Sequence, residues 1–137
     1  MYEDLSKLPA INDLKASKQT LIIFDDMVTD IKKHPIISEW FIRGRKRGAS
    51  IMFLSQSYYG TPKIIRQNVN YVVILKLGGT RDINSLLREV SIGLTKEQLL
   101  EMYNVSTKNK FDVLIINLEK SGNERYRKNF LQYFEIE

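Results

Sequence analysis

A chain of 137 residues, 43% of them hydrophobic and 27% charged, has room for one core and not for two, so a single domain over residues 1–137 is expected. The absence of cysteine excludes disulfides and thiolate metal sites, and the single histidine, His34, argues against a histidine-rich metal centre or a histidine-based catalytic triad. A net charge of +5 makes polyanions natural partners, although a run of charge on its own is more often a solvated face.

No apolar run approaches the length of a membrane span, so no membrane partner is expected. The opening Met1-Tyr2-Glu3-Asp4 is acidic, with no hydrophobic segment behind it to act as a signal peptide. An intracellular, cytoplasmic protein is the expectation.

Along the chain, Leu5, Leu8, Ile11 and Leu14 give residues 3–16 a weak helical pattern, broken by Pro9. A first strand is expected over residues 20–25. A polar turn follows, and Pro35 opens a helix over residues 35–47 with Ile36, Ile37, Trp40 and Phe41 along one face. Gly48 is placed to end it. The second strand covers residues 50–55, and a short helical piece falls near residues 64–67, after Gly60 and Pro62. The third strand covers residues 71–77. Thr80 is placed to cap a helix to residue 90, and Thr95-Lys96-Glu97-Gln98 reads as a capping box before another. The fourth strand covers residues 112–118. Ser121-Gly122-Asn123 then turns the chain into an extended segment, residues 125–136, as a hairpin, because so short a turn cannot make a parallel crossover.

Strands alternating with helices predict an α/β fold: a mostly parallel sheet with helices on both faces and a carboxyl-terminal hairpin. Trp40 and the tyrosines are expected to pack its core and sheet faces, and His34 to lie at the surface beside Pro35.

The first strand, Leu21-Ile22-Ile23-Phe24, runs directly into Asp25-Asp26. Adjacent carboxylates at the edge of a dry core repel each other unless a cation compensates them, and a hydrated Mg²⁺ is the usual compensator in nucleotide-hydrolysing sites. The competing reading is a strand running out into a solvated acidic turn. One helix further on, Ile51-Met52-Phe53-Leu54 ends in Ser55-Gln56-Ser57. One βαβ unit would bring both polar tips to the same carboxyl edge. There Gln56 could sense a γ-phosphate or a lytic water, or could simply cap the following turn. The arginines of Arg43-Gly44-Arg45-Lys46-Arg47-Gly48 suit a helix end, where cations complement the dipole. A second basic group, Lys120, Arg125, Arg127 and Lys128, reads as a solvated strand that could contact nucleic acid.

In order, the apolar strand into Asp25-Asp26, the Gly44-Arg45-Lys46-Arg47-Gly48 segment, Leu54-Ser55-Gln56 and Ile65-Arg66-Gln67-Asn68 resemble the FtsK/HerA superfamily of ring-forming DNA-pumping P-loop ATPases. The Phe24-Asp25-Asp26 and Ser55-Gln56-Ser57-Tyr58-Tyr59 segments are most similar to the poxvirus-type DNA-packaging ATPases. The resemblance covers residues 20–77 and implies a partial RecA-like core that uses ATP and Mg²⁺ to move duplex DNA as a homo-oligomeric ring. It implies that Asp25 is the Walker B acid associated with Mg²⁺ through water. Asp26 would be the catalytic base, Gln56 the sensor and Arg45 the arginine finger reaching a neighbouring subunit, with Arg43 and Arg47 as alternatives. Arg66 and Asn68 match a segment that supports the subunit interface or the nucleotide region and receive no precise role.

The departure from the family pattern is a missing Gly-x-x-x-x-Gly-Lys-Ser/Thr loop. Without its amides and lysine to hold the β- and γ-phosphates, the chain is expected to be inactive alone, as the carboxyl-terminal portion of an ATPase domain. The P-loop strand of this superfamily lies between the sensor strand and the strand after it, so its loss leaves a gap that self-association or repacking would close. Three other readings stay open. One is a catalytically dead domain binding nucleic acid or protein, one a related motor with other cargo, and one a Mg²⁺-dependent nuclease.

Overall fold

The computed structural model describes residues 5–27 and 30–136 and divides the chain into two compact units, with the boundary between Asn68 and Val69.

The first unit opens with two 3₁₀ turns, Leu5–Lys7 and Ile11–Asp13, in place of the weak helix; residues 3 and 4 of that stretch lie outside the described residues. Strand β1, Thr20–Asp25, and strand β2, Ala49–Leu54, pair in parallel with Ile22 opposite Ile51 and Phe24 opposite Phe53. Helix α1, His34–Arg43, makes the crossover, and a 3₁₀ turn, Gly44–Arg47, completes the expected helical stretch. Gly48 ends it at φ 71°, the left-handed conformation that glycine adopts without cost.

Burial alternates along both strands. Ile22, Phe24 and Ala49 are buried with Ile37, Trp40 and Phe41 of α1, and Phe41 meets Phe53 edge-on with ring centroids 6.5 Å apart. Leu21, Ile23, Met52 and Leu54 occupy the opposite face and are 42–59% exposed. Helix α2, Lys63–Arg66, closes the unit and buries Ile65.

The second unit contains strand β3, Tyr71–Ile74, helices α3, Thr80–Val90, and α4, Lys96–Ser106, and strands β4, Leu114–Asn117, β5, Tyr126–Lys128, and β6, Gln132–Tyr133. The four strands form one antiparallel sheet in the order β3-β4-β5-β6. The α/β class and the carboxyl-terminal hairpin are therefore as expected, and the parallel pairing is the one between β1 and β2. The reason lies in the crossovers. A single helix returns the chain to the end where a strand began and yields a parallel partner, whereas two helices bring it back to the end it left. The expected last strand is itself split, with Asn129–Leu131 turning between β5 and β6.

Strand β4 is buried throughout, and α4 packs against β4 and β5. The capping box forms: Gln98 N–H donates to Thr95 Oγ1 at 3.2 Å, and Thr95 N–H to Gln98 Oε1 at 2.9 Å. Helix α3 begins at Thr80 itself after an extended Gly79, without a side-chain cap. Tyr103, 1% exposed, accepts the Leu77 N–H at 2.8 Å, and buried Tyr126 donates its hydroxyl toward Val90 O at 2.9 Å and Ile92 O at 3.0 Å. Among the described residues, no helix is long and apolar enough to cross a membrane.

Candidate functional site

Parallel pairing of β1 with β2 brings their carboxyl ends level. Asp25 lies opposite Leu54, and the Asp26 N–H donates to Leu54 O at 3.2 Å, extending the ladder one residue past β1. Asp26 sits at φ 52°, a left-handed conformation that aspartate tolerates better than most residues. Asp25, Asp26, Leu54, Ser55 and Gln56 line a cavity of about 370 Å³. Two sequence-predicted carboxylates and the predicted sensor amide thus share one pocket, with both acids exposed to solvent.

The segment after β2 is held by hydroxyl groups. Ser55 Oγ donates to Ser57 O at 2.7 Å and accepts the Ser57 N–H at 3.0 Å. Ser57 Oγ accepts the Gly60 N–H at 2.9 Å, and Thr61 Oγ1 donates to Ser57 O at 2.8 Å. These serines and Thr61 secure the turn where the capping reading of Gln56 would have used its amide. Arg66 adds a longer-range tie: its Nη1 donates to Tyr58 O at 3.4 Å, and its guanidinium lies over the Tyr58 ring, 5.2 Å from the centroid. This contact went unread in the sequence, where Ile65-Arg66-Gln67-Asn68 stood out only by resemblance. Past the end of β1, half-buried His34 lies against Met27 O at 3.0 Å; a carbonyl only accepts, so Nε2 carries the proton. His34 thereby ties the start of α1 to the residue following Asp26.

Arg45 lies in the turn that enters β2, whereas the pocket lies where β2 ends. Six strand residues span roughly 20 Å, so Arg45 and the pocket of the same chain are not brought together. Arg43 pairs with Glu39 and donates to Asn12 Oδ1 at 3.2 Å, and Arg47 reaches the same oxygen at 3.5 Å, so both alternatives also belong to the entering end.

Among the described residues no three acidic or histidine side chains cluster as a metal cage. Two adjacent carboxylates suit instead a hydrated Mg²⁺ that takes its remaining ligands from water and phosphate oxygens. Asp25 and Asp26, both exposed at this pocket, are a donor set that fits such an ion.

The second basic group departs in part from the expected solvated strand: Arg125 is buried just ahead of β5, which runs between β4 and β6, whereas Lys120 stays exposed. Arg125 is 9% exposed, Lys128 approaches Asp112 at 3.8 Å, and Lys120 pairs with Glu124 at 3.0 Å. Arg127 stacks over Tyr133 at 5.3 Å. These cations are engaged inside their own unit.

A family model described as the poxvirus A32 protein matches residues 2–128. Comparison with curated proteins and with solved structures gives no match.

Proposed function

The chain belongs to the poxvirus A32 protein family, a family of viral genome-packaging ATPases, and from that premise we propose that it carries the acid-and-sensor half of the nucleotide pocket of a motor that moves duplex DNA. The register that sets Asp25 and Asp26 beside Leu54-Ser55-Gln56 is the observation supporting this reading.

In the proposed reaction Asp26 accepts a proton from the attacking water while the water oxygen bonds to the γ-phosphorus. The bond from that phosphorus to the β–γ bridging oxygen breaks, and ADP leaves with the electron pair. Asp25 would hold Mg²⁺ through water, and Gln56 orients the lytic water or contacts the γ-phosphate. Mg²⁺, when bound, spreads the charge that develops on the phosphate oxygens. Arg45 acts on a neighbouring subunit's nucleotide, a role suited to a side chain remote from its own pocket. The family in general implies use of ATP and Mg²⁺. A ring of such subunits, working inside the cell, would grip phosphates and leave the bases unread.

The phosphate-cradling loop is not among these 137 residues. In this reading they form the carboxyl-terminal portion of a RecA-like ATPase domain, and the cradle comes from other sequence. Turnover by this chain alone should sit at background. In a protein that also carries the loop, Asp26→Asn should lower kcat by about 10²–10⁴-fold. Robust hydrolysis by the isolated chain would show that it holds a phosphate site of its own, and unchanged turnover in the variant would remove Asp26 from the role.

The missing loop also favours a second reading, a catalytically dead domain that binds nucleic acid or protein. A native gene product without any phosphate-binding loop, binding DNA with no response to ATP, would select it.

A further inference from the structure

Among the described residues the three most exposed large apolar side chains are Phe111 at 77%, Phe130 at 72% and Leu131 at 91%, and all three project from one end of the second unit's sheet. Phe111 is the third residue of a turn closed by the Asp112 N–H to Asn109 O at 3.2 Å, and it sits at φ 71°. Glycine or asparagine is the usual occupant of such a position, so an aromatic ring there is held against its backbone preference. Phe130 and Leu131 are the last two residues of the three-residue turn between β5 and β6, whose first residue, Asn129, is also left-handed at φ 54°.

The two turns are fastened to each other. Asn129 Oδ1 accepts the Val113 N–H at 3.0 Å, the Asn129 N–H donates to Val113 O at 2.9 Å, and Asn129 Nδ2 donates to Asp112 Oδ1 at 3.1 Å. Asn109 Nδ2 donates to the second oxygen of Asp112 at 2.9 Å. The β4–β5 ladder therefore continues beyond Leu114, and Phe111 and Leu131 leave it from opposing chains. Asp112 is the one carboxylate in the two turns and is already taken up by these bonds. Lys108 and Lys110 are exposed beside it, Lys110 lying 5.0 Å from the centre of the Phe111 ring.

The result is a tip of roughly 400 Å² of exposed apolar surface built on two fastened turns, with Lys110 against Phe111 and Lys108 two residues before Lys110 in the chain. Apart from isolated thymine methyls in the major groove, a duplex offers little apolar surface to such a tip until a base step is opened. An anionic bilayer surface offers both complements at once, headgroup charge for the lysines and an acyl boundary about 5–10 Å deep for the rings. We propose that these two turns dock the chain on the surface of an anionic membrane, with Phe111, Phe130 and Leu131 entering the acyl boundary and Lys108 and Lys110 meeting lipid phosphates. Contact of this kind needs no spanning helix, and it stands independently of the nucleotide reading.

Co-sedimentation of the whole chain with phosphatidylcholine vesicles, with and without phosphatidylserine, tests the proposal. Binding is expected to the mixed vesicles, weakened roughly tenfold by the paired change Phe130→Ser and Leu131→Ser. Lys108→Gln with Lys110→Gln should remove the preference for phosphatidylserine. Phe111→Gly separates docking from folding, because glycine suits φ 71°: binding should fall while thermal stability holds or rises. Absence of binding by the parent, or binding untouched by these changes, overturns the proposal. So does a parent that ignores vesicles but binds a duplex oligonucleotide through the same side chains, or one whose tip variants dissociate an oligomer.

Discussion

The Asp26 amide donates to the Leu54 carbonyl at 3.2 Å, joining the ends of two strands one residue beyond the first. That bond fixes the backbone of Asp26 at φ 52° and sets where its carboxylate emerges. Asparagine enters the left-handed region as readily as aspartate; a β-branched residue does not. Asp26→Asn should leave urea stability nearly unchanged, whereas Asp26→Val should lower it by about 1–3 kcal/mol. Equal stabilities would show that the conformation is not enforced by the fold.

Gly48 carries a stricter constraint. It lies at φ 71°, and a Cβ placed there would come 3.0 Å from Ala16 O and 3.2 Å from Lys18 O, both backbone atoms. Gly48→Ala should cost about 1–2 kcal/mol in chemical denaturation. Gly78, where an added Cβ meets nothing within 4 Å, is the matched control and should tolerate alanine.

Tyr126 is buried in the second unit with its hydroxyl between the Val90 and Ile92 carbonyls. Tyr126→Phe should therefore cost about 1–2 kcal/mol, since both acceptors lose their donor. Burial disfavours the phenolate and raises the group above the ordinary tyrosine range. A pKa raised in the folded state contributes stability that is complete below the unfolded value, about 10, and is lost as pH rises through the folded one. The phenylalanine variant should lack this alkaline decline in a series of melts against pH.

Asp112 gives the opposite sign. Bonds from the Asn109 and Asn129 amides hold its carboxyl below the usual carboxylate range, with Lys128 assisting. Its contribution is present above the unfolded value near 4 and disappears as pH falls through the lower, folded value. Asp112→Asn should flatten the acid side of the stability profile. An unaltered slope would mean that the network does not favour the charged form.

Features set by neighbours in sequence were legible there. The bounds of β1, the stop at Gly48 and the Thr95–Gln98 capping box each follow from residues within one turn of one another. The meeting of Asp25 and Asp26 with Gln56 was legible too, because one helix between two strands leaves only the parallel arrangement. Pairing between β3 and β4 was harder: it depends on two intervening helices acting as an even number of crossings. The division of residues 125–136 carried no glycine or proline to announce it, since Asn129 makes the turn through bonds to Val113 and Asp112 on another strand. Arg125 looked solvated as part of a basic run, and only its place between the Gly122–Glu124 turn and the inner strand β5 buries it. Arg66 over Tyr58 is likewise a contact between elements, without periodicity or motif to reveal it.

With only two members, the β1–β2 ladder uses one side of each backbone, leaving the outward N–H and C=O groups of residues 20–25 and 49–54 without a ladder partner among the described residues. Beside those open margins lies the aliphatic row of Leu21, Ile23, Met52 and Leu54. A third strand arriving from any source would find a template for its main chain and a greasy floor for its side chains. The amino-terminal half is thus where copies of this chain should first stick together on concentration or warming, and where soluble handling should profit most from a lysine at position 23 or 52.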